Sequence, residues 1–245
     1  MLKVEGVSKS YRGNGWLGGE RRHVLRRIHM EWNKGESLGI IGESGSGKST
    51  LGRLLLGIEK PDEGRVTWSG RPVTDRRARR GTISAVFQDY TSSIHPFYTV
   101  RQALLEPLKL VGGPGDARKL AELLRQVGLD ESYLDKYPHE LSGGEAQRVC
   151  IARAVSSNPQ CMLLDEAISS LDGSVQMQVL ELLKGLKETY GMGYIFITHD
   201  IMAAAYLCDR IMIVRSGEIV ETVETEQLRH VETDYAKALL RKVIV

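Results

Sequence analysis

No uninterrupted apolar run in this chain approaches the roughly 20 residues that a membrane-spanning helix needs, so any membrane role has to come through a partner. Its start, Met1-Leu2-Lys3-Val4-Glu5, reads without an apolar signal segment. Cysteine is scarce: Cys150, Cys161 and Cys208 are odd in number and lack metal-ligand spacing. Cys150 and Cys161 sit among apolar residues, the setting of reduced core thiols in a cytosolic chain. His23, His29, His95, His139, His199 and His230 show no paired spacing either, so no structural metal is expected. Internal repeats and low-complexity tracts are missing as well. Aromatic residues make up 6% of the chain, and none interleaves with the clusters Arg21-Arg22, Arg26-Arg27, Arg76-Arg77 and Arg79-Arg80. A nucleic-acid groove needs such stacking partners, so these arginines read as solvated loops beside a site for a polyanion, and no nucleic-acid partner is expected.

What is present is glycine, uneven charge and periodic apolar sequence. Residues 1–80 hold 17 Lys/Arg against 9 Asp/Glu, and residues 81–245 hold 16 against 22, inside a net charge of +2. Period-two patterns at Leu2 to Val7, Val24 to Trp32 and Val66 to Trp68 predict short antiparallel strands. The glycine-rich stretch from Arg12 to Glu20 interrupts them as a surface loop. Short continuous apolar runs at Leu38–Ile41, Ile83–Phe87, Met162–Leu164, Tyr194–Ile197 and Ile211–Val214 suit parallel strands buried on both faces. Helical patterns alternate with them at Ser49–Leu56, Val100–Leu110, Ala117–Val127, Glu145–Ser156, Gly173–Glu188 and Ile201–Cys208. The alternation means a doubly wound α/β core. Residues 89–140 carry helix signals without a convincing strand, which predicts an inserted helical lobe.

Gly42-Glu43-Ser44-Gly45-Ser46-Gly47-Lys48-Ser49-Thr50 follows the apolar run Leu38–Ile41 and precedes a helix-like segment. It fits G-x-x-x-x-G-K-[ST] in the strand-to-helix context that this pattern requires. The glycines let successive N–H groups turn inward on phosphate oxygens, and the following helix offers its positive end to the same anion. Lys48 supplies a point charge for β- and γ-phosphates, and the Ser49 hydroxyl can ligate Mg²⁺. Leu141-Ser142-Gly143-Gly144-Glu145 opens a second helix with the same anion-binding logic. One chain has no obvious use for two such clamps. A dimer does, if each nucleotide lies between the first motif of one subunit and the second motif of the other.

With these residues in view, the chain resembles the ATP-binding subunits of ABC transporters over nearly its whole length. Gly42–Thr50 corresponds to the Walker A loop, Gln88 to the Q-loop glutamine, and Leu141–Glu145 to the signature, with Glu145 where the family usually has Gln. Met162-Leu163-Leu164-Asp165-Glu166 matches Walker B, Ser170-Leu171-Asp172 the D-loop, and His199 the switch histidine. The resemblance implies a P-loop core of the ABC ATPase type spanning 1–88 and 141–245, with an N-terminal antiparallel β subdomain and a helical lobe at 89–140 that meets the permease. It implies ATP and Mg²⁺ as ligands, the ion held by Ser49, Gln88 and Asp165. Lys48, Gln88, Glu166 and His199 take catalytic roles, Glu166 toward the attacking water. Ser142, Gly143, Gly144 and Glu145 face the partner's ATP. Tyr11 matches the adenine-stacking aromatic, and Trp16 in the glycine-rich insertion is the alternative platform.

Phe87-Gln88-Asp89-Tyr90-Thr91-Ser92-Ser93-Ile94-His95-Pro96-Phe97-Tyr98-Thr99-Val100 is similar to the F-Q-D-P-x-x-S-L-N-P-R-x-T-V stretch of dipeptide, oligopeptide and nickel importers. Leu105-Glu106-Pro107-Leu108 and Tyr235-Ala236-Lys237-Ala238-Leu239-Leu240 fit further motifs of that group. Ile94, Phe97 and Tyr98 can serve either a permease contact or the lobe's own core. His95 and Phe97 depart from the usual Asn and Arg, and Asp165-Glu166-Ala167-Ile168-Ser169-Ser170-Leu171-Asp172 replaces D-E-P-T-S-A-L-D. The Ala-for-Pro variant and the end at Val245, without a cysteine-bearing tail, point to a nickel or metal-chelate importer ahead of a peptide importer. The implied partners are a second ATPase subunit, whether a sister chain or a second copy, two permease subunits, and an extracytoplasmic substrate-binding protein. The implied location is the cytoplasmic face of the membrane. A DNA- or ribosome-acting ATPase would need an inserted coiled coil or a second ATPase domain, an exporter is expected to carry a fused membrane domain, and a regulatory subunit without turnover would not need Lys48, Asp165, Glu166 and His199 together.

Overall fold

The computed structural model describes residues 1–12, 20–89, 93–169 and 171–241. In chain order its elements are β1 (Leu2–Arg12), β2 (Arg21–Trp32), β3 (Ser37–Ile41), α1 (Lys48–Leu55), β4 (Glu63–Trp68), β5 (Arg71–Pro72), α2 (Arg76–Arg79), β6 (Ile83–Phe87), α3 (Val100–Val111) and α4 (Ala117–Gln126). Two 3-10 turns follow at Glu131–Asp135 and Pro138–Glu140, then α5 (Gly143–Val155), β7 (Cys161–Asp165), α6 (Gly173–Tyr190), β8 (Gly193–Thr198), α7 (Ile201–Leu207), β9 (Arg210–Arg215), β10 (Glu218–Glu224), a third 3-10 turn at Thr225–His230, and α8 (Asp234–Arg241). The chain packs as two units, Met1–Arg79 with Ile195–Val245, and Arg80–Tyr194. No helix among the described residues is long and apolar enough to cross a membrane.

In the first unit, an antiparallel sheet runs in the order β2-β1-β4-β5. Leu2 lies opposite both Trp32 and Trp68, and Val4 opposite Met30 and Val66. All six side chains are buried. The two tryptophan rings stack with centroids 5.5 Å apart, a cross-strand arrangement that adds to simple area burial. β1 extends past the predicted end at Val7, because β2 continues to pair it through Lys9, Ser10, Tyr11 and Arg12. Those last residues are polar and carry no alternation to read. Arg12 therefore belongs to a strand rather than to the predicted loop, while Gly13 to Gly19, with Trp16, lie outside the described residues.

The same unit carries the run β10-β9-β3-β8. β3 is buried at every residue and pairs in parallel with β9 from Leu38 opposite Arg210 to Ile41 opposite Ile213, as continuous apolar runs predict. β10 pairs antiparallel with β9 and has no counterpart in the sequence reading. With glutamate at every third position and no buried residue, it shows neither an apolar run nor a clean alternation. α8 likewise contains the Tyr235–Leu240 motif, and it buries Ala236 and Leu240.

In the second unit, β6 and β7 pair in parallel from Ile83 opposite Cys161 to Phe87 opposite Asp165. α3 starts at a Thr99–Gln102 capping box and ends at left-handed Gly112, and α4 is capped by Asp116. No strand occurs among the described residues of 89–140. Ile94 is core, 2% exposed, whereas Phe97 is 80% exposed, so the two do not share one role. Tyr90, Thr91 and Ser92 lie outside the described residues. Cys150 and Cys161 are buried free thiols, and burial pushes Cys150 up to about 12 and Cys161 further.

Gly64 in β4 has φ 76°, and a Cβ there would stand 2.4 Å from the carbonyl oxygens of Glu5 and Gly6. Gly64→Ala is expected to destabilise the protein by about 2 kcal/mol or more through strain and backbone clash, read as a lower urea midpoint; an unchanged midpoint would mean that β1 can move aside.

Candidate active site

The first unit builds the phosphate loop. β3 delivers the chain to Gly42, where a Cβ would lie 2.1 Å from the Val214 carbonyl oxygen on β9. Gly47 has φ 104°, and its Cβ would meet the Val24 carbonyl oxygen at 2.7 Å. Only glycine lets the loop pass this close to two strands. The Gly217 N–H donates to the Ser46 carbonyl at 2.9 Å and holds the loop from the β9–β10 turn. α1 begins at Lys48 with no side-chain cap and no acidic residue in its first turn. Other helices with a described cap, α3 to α7, begin under the side chains of Thr99, Asp116, Ser142, Asp172 and Asp200. α1 thus differs from those helices in starting without a side-chain cap, the setting in which a helix N-terminus can receive an anion.

Lys48 is 4% exposed, and its Nζ donates to the carbonyls of Gly42 at 2.8 Å and Glu43 at 3.0 Å. The Ser46 hydroxyl is buried and makes no hydrogen bond among the described residues. Gly45 is left-handed at φ 80°, and Ser44 is exposed while Ser49 is half-buried. Tyr11, near the end of β1, donates its hydroxyl to Glu59 at 2.6 Å and also hydrogen-bonds the Thr50 side chain. Burial and the Glu59 bond raise the Tyr11 pKa. The ring is 37% exposed, a flat face held at the last residue of the loop. His199 is exposed immediately after β8. The Asp200 N–H donates to the Thr198 hydroxyl at 3.0 Å, and the Asp200 carboxylate caps α7.

One neighbour was not assigned a role from sequence. The Tyr235 hydroxyl on α8 accepts a hydrogen bond from the Glu43 N–H at 3.3 Å, and the Arg215 guanidinium lies 4.8 Å from the Tyr235 ring centroid. Only its membership of the Tyr235–Leu240 motif marked it.

The second unit carries the other residues. Asp165 ends β7, 9% exposed, and its register opposite Phe87 sets Gln88 and Glu166 one residue beyond the same parallel strand ends. Such edges are where α/β sheets bind ligands. Glu166 has φ 48°, a left-handed conformation uncommon outside glycine and often found at functional positions. Its carbonyl accepts from the Ser169 N–H at 3.2 Å and from the Ser169 hydroxyl at 2.9 Å. Asp172 caps α6 through the Val175 N–H at 3.0 Å, and that bond lowers its pKa; Ser170 lies outside the described residues. Ser142 caps α5 in a reciprocal box with Glu145. A Cβ on Gly144 would come within 3.2 Å of Val175 Cγ1, so this helix start packs closely on α6.

Residues 25–169 match the family described as ABC transporter. The chain belongs to the ABC transporter family. It is 49% identical over 245 residues to the metal-staphylopine import system ATP-binding protein CntF of Staphylococcus aureus (strain NCTC 8325 / PS 47), covering 99% of this chain and 98% of that one. It is 39% identical over 254 residues to the nickel import ATP-binding protein NikE of Escherichia coli (strain K12), covering 100% and 94%. Among solved structures, a dimeric post-hydrolysis state of the ATP-binding cassette MJ0796 bound to ADP and Pi is similar at a TM-score of 0.82 and 31% identity, over 92% of this chain and 99% of that one. As an ABC ATPase, this chain binds ATP and couples its hydrolysis to transport.

Removing the Tyr235 hydroxyl deletes one hydrogen bond, a loss of about 0.5–1 kcal/mol. Tyr235→Phe in this ABC ATPase is therefore expected to weaken ATP binding roughly two- to fivefold, measured by equilibrium titration; unchanged affinity would show that α8 does not support the loop.

Proposed function

We propose that this chain is the ATP-hydrolysing subunit of a binding-protein-dependent importer whose cargo is nickel or a metal–chelate complex. The observation that carries the reading is similarity over almost the entire length to CntF and NikE, whose names specify metal-staphylopine import and nickel import. Peptide import is the second reading, since the stretch Phe87–Val100 is similar to one that peptide and nickel importers share.

In this reading the N–H groups from Gly45 to Thr50 and the Lys48 ammonium receive the β- and γ-phosphates of ATP. Lys48 exchanges the carbonyls of Gly42 and Glu43, its present partners, for phosphate oxygens. The buried Ser46 hydroxyl gains an acceptor at the same time. Tyr11, tethered by Glu59, stacks on adenine. The Ser49 hydroxyl, Asp165 carboxylate and Gln88 amide are hard oxygen donors that suit Mg²⁺, and the strand register beside Asp165 supports Gln88 as a member of the set. Mg²⁺ held by these residues would supply positive charge to the triphosphate. Glu166, held in its left-handed turn by Ser169, accepts a proton from the attacking water or orients it. His199 donates toward the γ-phosphate. Phosphoryl transfer depends mainly on such positioning and charge.

The partner is a second ATPase subunit whose Ser142–Glu145 turn, or the equivalent in a sister chain, closes over the ATP; the dimeric state of the MJ0796 cassette supports this arrangement. Two permease subunits hold the pair on the cytoplasmic face, and an extracytoplasmic protein reads the cargo. Within the second unit, a groove of about 540 Å³ is lined by Phe87, Asp89, Glu106, Leu110, Cys150 and Arg153. Lined along β6 from Ser84 to Phe87 and by Asp89, Ser93, Glu106 and Leu110 of the lobe, it supports permease docking by the lobe at 89–140. Arg153 bridges it, donating to Glu106 at 2.7 Å and to the Ser93 carbonyl at 2.9 Å.

Two outcomes test the reading. Glu166→Gln is expected to retain ATP binding and lower turnover of the assembled importer by about 100-fold or more, the usual scale for losing a general base; a near-normal rate would remove Glu166 from this role. Lys48→Ala is expected to abolish cellular uptake of labelled nickel or chelated nickel and to spare short peptides, whereas loss of peptide uptake alone would establish the second reading.

A further inference from the structure

The fifth position of the signature is a carboxylate in this chain, which raises a local electrostatic problem. Glu145 stands in the first turn of α5, where its negative charge suits the helix N-terminus. The same N-terminus is the surface offered to a triphosphate, and two anions competing for it repel. The structure shows how the carboxylate is occupied. One Glu145 oxygen accepts from the Tyr133 hydroxyl, and the other accepts from the Ser142 N–H at 2.7 Å. The Glu145 N–H donates to the Ser142 hydroxyl oxygen at 3.4 Å, which leaves the hydroxyl proton for another acceptor. Gly143 and Gly144, the first two helical residues, have N–H groups with no partner inside the helix.

Tyr133 belongs to the 3-10 turn Glu131–Asp135, outside every motif read from sequence. It is itself fixed: the Lys136 ammonium sits 3.7 Å from its ring centroid, and the Lys136 carbonyl accepts from Val100 N–H at 2.9 Å at the start of α3. We propose that Tyr133 is a positioning residue for the signature, a latch that turns the Glu145 carboxylate onto Ser142 and away from the approaching triphosphate. The proposal rests on the reading that Ser142–Glu145 faces ATP held by the other subunit. The Tyr133 hydroxyl is the foremost influence holding Glu145 down to about 2, followed by the bonds to Ser142. These bonds favour the ionised carboxylate, so the repulsion has to be met by geometry. A glutamine here has no charge to divert and does not depend on Tyr133.

The test compares Tyr133→Phe, Glu145→Gln and the double variant with a Ser142→Arg control. ATP binding by the isolated full chain is measured alongside KM and kcat of the assembled importer and the melting temperature. Tyr133→Phe is expected to raise the importer's KM for ATP about three- to tenfold, the net scale of one intramolecular hydrogen bond, without changing ATP binding by the isolated chain. Adding Glu145→Gln is expected to restore KM to within about twofold, since the charge that needed the latch is gone. A normal KM in Tyr133→Phe overturns the latch, as does a raised KM that Glu145→Gln fails to restore. A parallel loss of ATP binding by the isolated chain overturns it too, by revealing a general folding defect. If Ser142→Arg leaves the importer's KM unchanged, the reading of the signature itself fails, and the latch with it; if Ser142→Arg disables the importer while Tyr133→Phe does not, only the latch fails.

Discussion

The site depends on backbone passing against backbone around the phosphate loop. Gly42 lies against the Val214 carbonyl, Gly47 against the Val24 carbonyl, and Gly217 against Val24 again, with Cβ positions that would fall 2.1, 2.7 and 2.3 Å from those oxygens. Strands from both sheets of the first unit thus bear directly on the loop, with no side chain between. The loop's curl is set by packing of the main chain, which is stiffer than any side-chain contact. From that constraint follow the left-handed Gly45 and Gly47 and a helix α1 that starts without a side-chain cap. The lysine is held to the loop's own carbonyls.

Charge is handled differently in the two units. In the first, an ammonium is buried on carbonyl oxygens and helix α1 starts without a side-chain cap. In the second, carboxylates at helix starts are occupied: Asp172 by Val175 and Ser174, and Glu145 by Ser142 and Tyr133. Glu166 stands apart, with a strained backbone at the end of a buried strand. Strain of this kind persists only where the surroundings impose it, and here two hydrogen bonds from Ser169 do so.

The parts most legible in the sequence were those with strong apolar periodicity. β3, β6, β7, β8 and β9 stand within a residue or two of their predicted spans, as do α3 to α7, because buried strands and amphipathic helices leave continuous or repeating signals. The polar second half of β1, the glutamate-rich edge strand β10 and the helical nature of Tyr235–Leu240 were not legible, since each is specified by a partner strand or packing surface distant in sequence. The phosphate loop and the Ser142–Glu145 helix start were read from their own residues and spacing, whereas Gln88, Asp165 and Glu166 were assigned through the resemblance to ABC transporter ATP-binding subunits. Tyr133, Glu59 and Tyr235 were given no role, because each acts through a hydrogen bond to a motif 12, 48 or 192 residues away, and a single tyrosine or glutamate carries no local mark of that. Ile94 and Phe97 show the same limit: three positions apart in one motif, one is buried and the other exposed.

The central claim is that ATP is held between the phosphate loop of one subunit and the signature turn of another. The most direct measurement is a structure of the assembled importer carrying Glu166→Gln and trapped with ATP. The account expects the γ-phosphate to lie within hydrogen-bonding distance of Lys48 in this chain and of the signature serine of the opposing subunit, with Ser142 of this chain placed equally on the opposing nucleotide. ATP bound on Gly42–Thr50 with no signature residue against it, in a fully closed complex, would contradict the account.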